Sequence, residues 1–572
     1  MVGLAARSPR GGRVSFFIRA DTACRQKEAL MFKTARQIIA RLGGLAAGLA
    51  VVFGLITAMP VHAQTGPIVT TKSGAVQGAA KGAYDQFLAI PYAAPPIGPL
   101  RFRPPQPASA WSGVRDATQP SSECIQQPRN NLWKVSEDCL YLNVYAPLHA
   151  RNLPVMVEIY GGGWIIGGAN DYDGGVISTR GNVVVVTLNY RLGALGWLTL
   201  PQLGKEDSRG ASGNYGFLDQ QAALRWVKGN IRAFGGNPDN VTIMGESAGG
   251  QSVCMHMVAP GSRGLFQKAI SQSGFCALEI PGPKMAMEWG KEFAAALGCN
   301  DGPTAVECLR ARKPEDFASG NALRFLGRFL PAWDGAVLPT DMVKSFKDGD
   351  YAHVPLIMGG NRDEGSILAV LRHGLALTSM SDADYAGILN RKFGEAGPDI
   401  LTHYPPHDYA TPGQALSAVI TDGQRVCATQ KATRLIAMHS PVYAYEYAYV
   451  GPQSRSPLPP VAGFDYGAAH SAEVGLVFGH GEVGDQAGPP LTEVEQRISD
   501  RLIAYWTHFA ATGHPGDAKA DGQLLPAWPT YQTAHDDVML FTADAAMNST
   551  AWSRHQCEFW DASGILDKTP VY

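Results

Sequence analysis

Short apolar runs, each followed directly by a turn, are the feature of this sequence that most constrains its fold. The runs are LPVMVEIY before GGG, NVVVVTLNY before RLG, NVTIM before GES, FQKAIS before QSG and HVPLIM before GGN. Unbroken apolar runs of this length are typical of strands buried on both faces. Helix-like segments lie between them, such as 220–234, in which Leu224, Val227, Ile231 and Phe234 share one face. The alternation predicts an α/β fold with a large, mostly parallel sheet flanked by helices.

Size and charge restrict the class of protein. The chain has 572 residues, 45% hydrophobic and 17% charged, which is enough to bury a large core. Its 48 basic residues nearly balance its 50 acidic residues, so it has no basic excess for binding nucleic acid. It contains no internal repeat or long linker, which favours one large domain.

The N-terminus has the pattern of an export signal. Residues 1–30 resemble an upstream extension, and residues 31–63 combine a basic start, the uncharged stretch 42–59 and the small residue Ala63. A membrane anchor is the alternative, but four glycines and Thr57 weaken the apolar stretch. We therefore expect cleavage of a signal peptide, a mature domain from residue 64 to 572 without a stable membrane anchor, and a periplasmic or secreted location.

GESAGG, residues 245–250, follows the strand-like run NVTIM and precedes the apolar stretch QSVCMHMV. The motif G-x-S-x-G between a strand and a helix is typical of a nucleophile on a sharp turn. Gly245 and Gly249 fit this interpretation because a Cβ at either position would collide with neighbouring backbone. Ser247 is therefore the candidate nucleophile, with an ordinary glycine-rich loop as the alternative.

A serine hydroxyl needs a base to accept its proton and an acid to orient that base. In this architecture the acid and then the histidine follow the serine along the chain. Residues 362–365, RDEG, offer a carboxylate after the run HVPLIM, and His470 lies in the small-residue loop YGAAHSAEVG. Spacing alone leaves His480 and His508 as rivals to His470.

The glycines 161–163 follow the run LPVMVEIY. Backbone N–H groups without side-chain obstruction are suited to binding an oxyanion. A phosphate-binding loop is the alternative, but GGGWIIGG does not fit G-x-G-x-x-G, and no Lys-Ser or Lys-Thr follows it. The oxyanion interpretation is favoured.

Together these residues resemble the type B carboxylesterase family, which includes bacterial esterases, mammalian carboxylesterases and cholinesterases. The resemblance runs from about Ile68 to about Trp560. Its landmarks are FLAIPYAAPPIGPLRF, SEDCLYLNVY, YGGGW, LNYRLGALGWL, GNYGFLDQQAALRWVKGNIRAFGGNP, GESAGG, GGNRDEG and GAAHSAEVGLVFG.

The resemblance implies an α/β-hydrolase fold and a serine hydrolase that cleaves carboxylic esters of small molecules without a metal or organic cofactor. It implies Ser247 as nucleophile, Glu364 as acid and His470 as base. It further implies an oxyanion hole from the N–H groups of Gly162, Gly163 and Ala248. Glu246 and Ser273 match positions in a buried polar network beside the triad, where a purely structural role is the alternative.

The resemblance also suggests a disulfide framework. Of nine cysteines, Cys24 precedes the expected cleavage site and eight remain, an even number suited to an oxidising compartment. Two cysteines, Cys254 and Cys276, are expected to be buried free thiols, with a fourth bridge as the alternative. The suggested pairs are Cys124–Cys139, Cys299–Cys308 and Cys427–Cys557.

The substrate is constrained at two places. Cholinesterases hold choline against a tryptophan at the position of Arg129, and Trp133 is displaced from it, so a choline ester is not expected. Residues 323–334, LRFLGRFLPAWD, match the acyl-pocket loop of the family, with Phe329 as a wall aromatic. If this loop is helical, Arg324 and Arg328 face one way and suit carboxylates, although a solvated charged face is the simpler interpretation.

The carboxylate interpretation predicts esters of polycarboxylic acids, as in secreted bacterial relatives that detoxify fumonisin, a tricarballylate diester. A neutral aryl or alkyl esterase or a lipase is the alternative within the same chemistry. A non-catalytic cholinesterase-like binding protein is the alternative from another class, and the complete triad disfavours it. The sequence does not indicate an oligomeric state.

Overall fold

The protein is described here by a computed structural model that covers residues 66–127, 133–277, 280–300, 302–338, 341–451, 458–481 and 490–566. The upstream extension 1–30, the signal peptide 31–63 and Arg129 lie outside these residues. Residues Gly66–Tyr572 belong to one compact unit. Among the residues covered, no helix combines the length and apolarity needed to cross a membrane.

A sheet of eleven strands forms the centre of the described chain. Numbered along the chain and given in their order across the sheet, the strands are β18 Ala545–Asn548, β17 Val538–Phe541, β14 Val442–Tyr447, β13 Leu356–Asn361, β12 Lys268–Gln272, β11 Gly236–Glu246, β9 Leu153–Ile159, β10 Val184–Leu188, β8 Tyr141–Pro147, β4 Tyr84–Pro91 and β3 Ala79–Ala80. Across the sheet, every pair of neighbours between β10 and β17 is parallel. At the two ends of the sheet, β3, β4, β8 and β18 pair antiparallel with their neighbours.

Three small sheets accompany the central one within the ranges that the structure describes. Their strands are β1 Ile68–Thr71, β2 Gly74–Gln77 and β5 Val114–Asp116, then β6 Glu123–Cys124 with β7 Val135–Ser136, and β15 Lys519–Ala520 with β16 Gln523–Leu524.

Helices connect the strands of the central sheet. The α-helices are Gly175–Gly181, Gly193–Trp197, Pro201–Gly204, Tyr215–Asn230, Ala248–Val258, Pro283–Ala296, Ala305–Ala311, Met342–Asp348, Ser366–His373, Asp382–Phe393, Gly397–His403, Pro412–Thr421, Cys427–Ala437, Val474–Val477, Glu493–Thr512 and Cys557–Ser563. The 3-10 helices are Gly98–Leu100, Ala169–Asp171, Ile231–Phe234, Pro260–Ser262, Pro314–Phe317, Gly320–Arg328, Gly374–Leu377, Gly394–Ala396, Pro406–Asp408 and Trp552–His555. Asp422–Val426 is a π-helical segment.

The strand-like runs of the sequence correspond to the buried centre of the sheet. All five residues of β10 are buried, as are the last five of β9 and all of β12. Parallel strands covered on both faces have this uniform burial. The expected helix 220–234 is wrong at its start: the α-helix is Tyr215–Asn230, and a 3-10 helix continues it to the expected end at Phe234. It begins earlier because Tyr215, Phe217 and Leu218 are themselves buried.

A second apolar cluster lies among the helices between β13 and β14. It includes Ile367, Tyr385, Leu389 and Ile400, all buried, and Trp560 from the C-terminal helix packs into it. The long connection from β13 to β14 therefore forms a helical layer with its own core.

Four disulfides link the eight cysteines of the described chain. Cys124–Cys139, Cys299–Cys308 and Cys427–Cys557 pair as the sequence analysis expects. The expectation that Cys254 and Cys276 are free thiols is wrong: they form the fourth bridge, with their Cα atoms 5.9 Å apart. This separation lies within the usual range for a disulfide. Four bridges are typical of a protein from an oxidising compartment.

A buried histidine anchors the C-terminal segment to the helical layer. His555 Nδ1 lies 2.7 Å from Asp422 Oδ1, and its Nε2 lies 3.0 Å from Glu446 Oε2. Tyr404 donates its hydroxyl hydrogen to Asp422 Oδ2. Burial disfavours the charged imidazole, but Asp422 and Glu446 outweigh it and raise the pKa of His555 to about 9. At neutral pH the imidazolium therefore lies between two buried carboxyl groups and pairs with both.

We expect His555→Gln to lower the free energy of unfolding by about 3–5 kcal/mol near neutral pH, because it leaves buried carboxylates without their cation. The pKa of His555 is higher in the folded than in the unfolded state, so the contribution is complete below about pH 6.5 and is lost as pH rises through about 9. Urea unfolding at pH 6 and pH 9.5 measures both effects. Ser553→Ala, at an exposed neighbour, is the matched control. An equal gap between His555→Gln and wild type at both pH values contradicts the assignment.

Candidate active site

Ser247 occupies a strained turn at the end of β11. Its φ of 57° and ψ of −122° lie in a region that residues with a side chain rarely adopt. The turn is sharp because β11 passes directly into the helix Ala248–Val258. A Cβ at Gly245 would lie 2.5 Å from Ile159 O, and one at Gly249 would lie 1.8 Å from the same atom. The two glycines are therefore required for the backbones to approach each other.

Three side chains from distant parts of the sequence form one hydrogen-bonded series. Ser247 Oγ lies 2.9 Å from His470 Nε2, and His470 Nδ1 lies 2.5 Å from Glu364 Oε2. Glu364 follows β13 by three residues, and an isolated parallel bridge between Asp363 and Ala469 holds the two loops together. An imidazole in this position has the geometry to accept a proton from a hydroxyl, and a carboxylate behind it fixes its orientation.

The second carboxylate of the RDEG segment and the two rival histidines make different contacts. Asp363 Oδ2 accepts a hydrogen bond from Ala468 N and pairs with Arg362, so it supports the loop that carries His470. His508 lies on the helix Glu493–Thr512, with its ring 5.3 Å from that of His514. His480 donates its backbone N–H to Gly475 O. Among the three candidate histidines of the described chain, it is His470 that contacts Ser247.

The carboxylates determine the charge state of the imidazole. Burial disfavours a charged His470, but Glu246 and Glu364 outweigh it and raise the pKa of His470 to about 9. Burial raises the pKa of Glu364, but His470, Ser273 and the backbone of Asn361 more than compensate and hold it below its ordinary value. Glu364 is therefore an anion that stabilises an imidazolium next to it.

A glycine loop faces the same turn from β9. Gly162 and Gly163 have φ values of 94° and 61°, and Gly162 O accepts hydrogen bonds from the N–H groups of Ile165 and Ile166. A Cβ at Gly161 would lie 2.6 Å from Glu246 O. The loop thus packs against the residue that precedes Ser247. Ala248, the first residue of the following helix, lies at the positive end of the helix dipole.

The comparisons with known proteins agree with this geometry. Residues 65–560 match the carboxylesterase family. This chain belongs to the carboxylesterase family. The family assignment confirms the expected class of enzyme, a carboxylic ester hydrolase.

The alignments with individual relatives cover most of this chain and nearly all of each relative. The chain is 34% identical to the acylcarnitine hydrolase of Mus musculus over 89% of this chain and 94% of the relative. It is 34% identical to the cocaine esterase of Homo sapiens, over 91% and 95%. It is 32% identical to the para-nitrobenzyl esterase of Bacillus subtilis (strain 168), over 87% and 100%. A solved structure of PNB esterase aligns with a TM-score of 0.72 and 32% identity, over 86% of this chain and 99% of that chain. The expected α/β-hydrolase fold is confirmed.

Glu246 and Ser273 lie beside the hydrogen-bonded series of this carboxylesterase. Glu246 Oε1 is 3.2 Å from His470 Nε2 and accepts the hydroxyl hydrogen of Ser471. Burial raises the pKa of Glu246 to about 7, although the charge of His470 opposes the shift. Ser273 donates its hydroxyl hydrogen to Glu364 Oε1 at 2.5 Å. Glu246 therefore contacts the imidazole directly, whereas Ser273 contacts Glu364.

Sequence reasoning missed a second layer of this network. Glu473 is completely buried, and its two oxygens accept hydrogen bonds from Gln272 Nε2 at 3.0 Å and Asn361 Nδ2 at 2.7 Å. Burial and the charge of Glu364 raise its pKa. The signal was present in HSAEVG, where an acid stands three residues after His470 in an otherwise small and apolar segment.

The expected substrate-binding residues lie on the 3-10 helix Gly320–Arg328 and at its end. Phe329 is buried against Phe293 with ring centroids 4.8 Å apart. Arg324 is exposed, and Arg328 is paired with Glu292 at 2.5 Å. Because a 3-10 helix has three residues per turn, side chains four apart point in directions that differ by about 120°. The condition for a shared direction, an α-helical turn, is therefore not met.

We expect Glu246→Gln to move the acid limb of the pH dependence of kcat/KM to lower pH. His470 must be neutral to accept a proton, so activity rises as pH rises through its pKa, about 9 in the native chain. Removal of one of the two carboxylates that raise this pKa lowers it. Initial rates from pH 5 to 10 on a neutral aryl ester measure the limb, with the exposed Glu307→Gln as the control. A limb that stays in place contradicts the proposed coupling.

Gly162→Ala is expected to lower kcat about 100-fold or more. A Cβ there would lie 2.2 Å from Ile166 O at a φ that strains alanine, so the loop that faces Ser247 must shift. Steady-state kinetics measure the loss. Gly82→Ala also has a positive φ, but its Cβ meets open space, so it controls for backbone strain alone. Similar kcat values for the two variants contradict a role of this loop.

Proposed function

We propose that this carboxylesterase cleaves its substrates with Ser247 as nucleophile, His470 as general base and acid, and Glu364 as the residue that orients His470. The observation that carries the proposal is the continuous hydrogen-bonded series Ser247–His470–Glu364, with contacts of 2.9 and 2.5 Å, on a strained strand-to-helix turn. A non-catalytic binding protein has no need for this strain or for three aligned polar side chains.

The reaction has two halves. His470 Nε2 accepts the hydroxyl proton while Ser247 Oγ forms a bond to the carbonyl carbon, which gives a tetrahedral oxyanion. The carbon–oxygen bond to the alcohol breaks, and His470 gives the proton to the departing alcohol. Water then attacks the acyl-enzyme and passes a proton to His470. The bond between the acyl carbon and Ser247 Oγ breaks, His470 returns the proton to Oγ, and the acid leaves.

We propose that the N–H groups of Gly162, Gly163 and Ala248 bind the oxyanion. The positive φ values of the two glycines and the position of Ala248 at a helix start support this assignment. Glu364 stabilises the imidazolium that forms in each half, and Glu246 adds to this effect. Ser273 is proposed to hold Glu364 in place.

The substrate class is a separate proposal. Esters of polycarboxylic acids remain a prediction, but Arg328 is paired with Glu292, and its direction differs from that of Arg324, so this arginine pair gives it little support. A panel of neutral aryl, long-chain and polycarboxylate esters separates the alternatives. Preferred turnover of long acyl chains indicates a lipase, and preferred turnover of short neutral esters indicates a general esterase.

Export of the protein is proposed on two grounds. The four disulfides are suited to an oxidising compartment, and residues 31–63 have the composition of a signal peptide. N-terminal sequencing of the protein from its host, with fractionation into periplasm and medium, tests cleavage after Ala63 and distinguishes the two destinations.

Ser247→Ala is expected to lower kcat by about 10⁵- to 10⁶-fold, and Glu364→Gln by about 10⁴-fold, because the series loses its nucleophile or the orientation of its base. Release of 4-nitrophenol from a neutral aryl ester measures both losses. The exposed Ser319→Ala is the control and is expected to keep wild-type rates. Undiminished hydrolysis by Ser247→Ala refutes the proposed nucleophile.

A further inference from the structure

Arg425 lies close to the candidate active site but takes no part in the proposed reaction. Its guanidinium carbon is 4.2 Å from the centroid of the Phe275 ring. The Phe275 ring, in turn, is tilted against the His470 ring at a centroid distance of 5.7 Å. These two distances place the guanidinium within about 10 Å of the imidazole. Arg425 is half-buried, and Phe275 is buried.

An interruption of a helix presents Arg425 in this position. The π-helical segment Asp422–Val426 separates the helices Pro412–Thr421 and Cys427–Ala437. Isolated π-helical turns occur frequently at functional sites because they redirect a side chain without ending the helix. The extra residue per turn changes the direction in which Arg425 points.

The π-helical segment is held in place on several sides. Asp422 is bound to His555 and Tyr404. A Cβ at Gly423 would lie 2.4 Å from the Trp560 ring. Cys427, directly after the segment, is bridged to Cys557. Arg425 therefore extends from a fixed backbone, as a residue that selects a substrate must.

Other cations share this region. Arg372 donates from Nη1 to Gln424 Oε1, next to Arg425. Burial, followed by the charges of Arg372 and Arg425, lowers the pKa of Lys392 to about 8. The charge of Arg425 also reaches His470, where it opposes the rise in pKa.

The charge of Arg425 matters for substrate binding because carboxyl groups contact His470. Two buried carboxyl groups, Glu246 and Glu364, contact His470, and the anionic Glu364 repels a negatively charged substrate. A cation within about 10 Å offsets this repulsion for a substrate whose own charge lies next to it. The Arg425 guanidinium carbon lies over the face of the Phe275 ring. A guanidinium is planar and carries its N–H donors in a fork that suits a carboxylate.

We propose that Arg425 is a specificity-determining residue that binds a free carboxylate of the ester substrate. This inference rests on the proposed Ser247–His470–Glu364 reaction and concerns only which esters are selected. The carboxylate belongs either to the acid part or to the alcohol part of the ester. Arg425 replaces Arg324 and Arg328 as the basis for expecting a carboxylated substrate.

The experiment compares matched esters that differ only in one charge. Mono-4-nitrophenyl glutarate carries the carboxylate in its acid part, and its methyl ester is the neutral partner. 4-Acetoxybenzoate carries the carboxylate in the alcohol part, and methyl 4-acetoxybenzoate is its neutral partner. For each pair, the ratio of kcat/KM for the charged ester to that for the neutral ester is the quantity that reports recognition.

Arg425→Gln is expected to lower this ratio about 10- to 100-fold for one pair, because a charge-assisted hydrogen bond to the carboxylate is lost. The pair that responds identifies the part of the substrate that carries the charge. Arg425→Lys is expected to keep part of the ratio, since it retains the charge without the planar donor edge. Arg232→Gln is the matched control, because Arg232 precedes β11 at the end opposite to Ser247 and is exposed.

The alternative is that Arg425 only balances the buried carboxylates. Its removal then raises the pKa of His470, which moves the acid limb of kcat/KM to higher pH equally for charged and neutral esters. Unchanged ratios at the pH optimum in both pairs overturn the proposal, whether kcat/KM stays the same on both esters of a pair or falls equally on both. Arg425→Lys decides the question if Arg425→Gln fails to fold. Failure of the proposed function is distinguishable, because wild-type and Ser247→Ala proteins then hydrolyse the neutral esters equally.

Discussion

The close approach of three backbone segments at the end of β11 is the constraint on which the site depends. Ile159 O lies where a Cβ of Gly245 or Gly249 would stand, so both positions require glycine. This approach forces Ser247 to a φ of 57° and directs its hydroxyl away from the sheet, toward the loops that follow β13 and β14. The carboxyl ends of neighbouring parallel strands meet at one edge, so residues 364 and 470 reach residue 247 although they are far apart in sequence.

The parts of the fold that the sequence predicts are those determined by local physics. Runs such as VVVTL in β10 are apolar on both faces because both faces are covered, and GESAGG carries its glycines because the turn leaves no room for a Cβ. Helix bounds are less local. The helix at 215–230 begins before its amphipathic pattern because Tyr215 and Phe217 are buried by tertiary packing.

The features that escape the sequence depend on contacts between distant segments. Cys254 and Cys276 form a bridge because a helix and the loop after β12 bring their Cα atoms within 5.9 Å, which no spacing rule predicts. Arg328 is paired with Glu292, 36 residues away. The π-helical segment that carries Arg425 has no distinctive composition, and only the structure reveals that the guanidinium lies over the Phe275 ring. Spacing similarly left His470 among several histidines until its contact with Ser247 was visible.

Burial of charge unites the proposed reaction with the proposed specificity. Carboxylates around His470 favour its protonated form, which suits the imidazolium of the transition state, and they also repel anionic substrates. The most direct test of the central claim is chemical labelling of the nucleophile. The enzyme is incubated with a 4-nitrophenyl phosphonate, digested and analysed by mass spectrometry. The account predicts one phosphonyl group, on the hydroxyl of Ser247, with 4-nitrophenol released in equal amount and activity lost in proportion. Inactivation with the label on another residue, or full labelling of Ser247 without loss of activity, contradicts it.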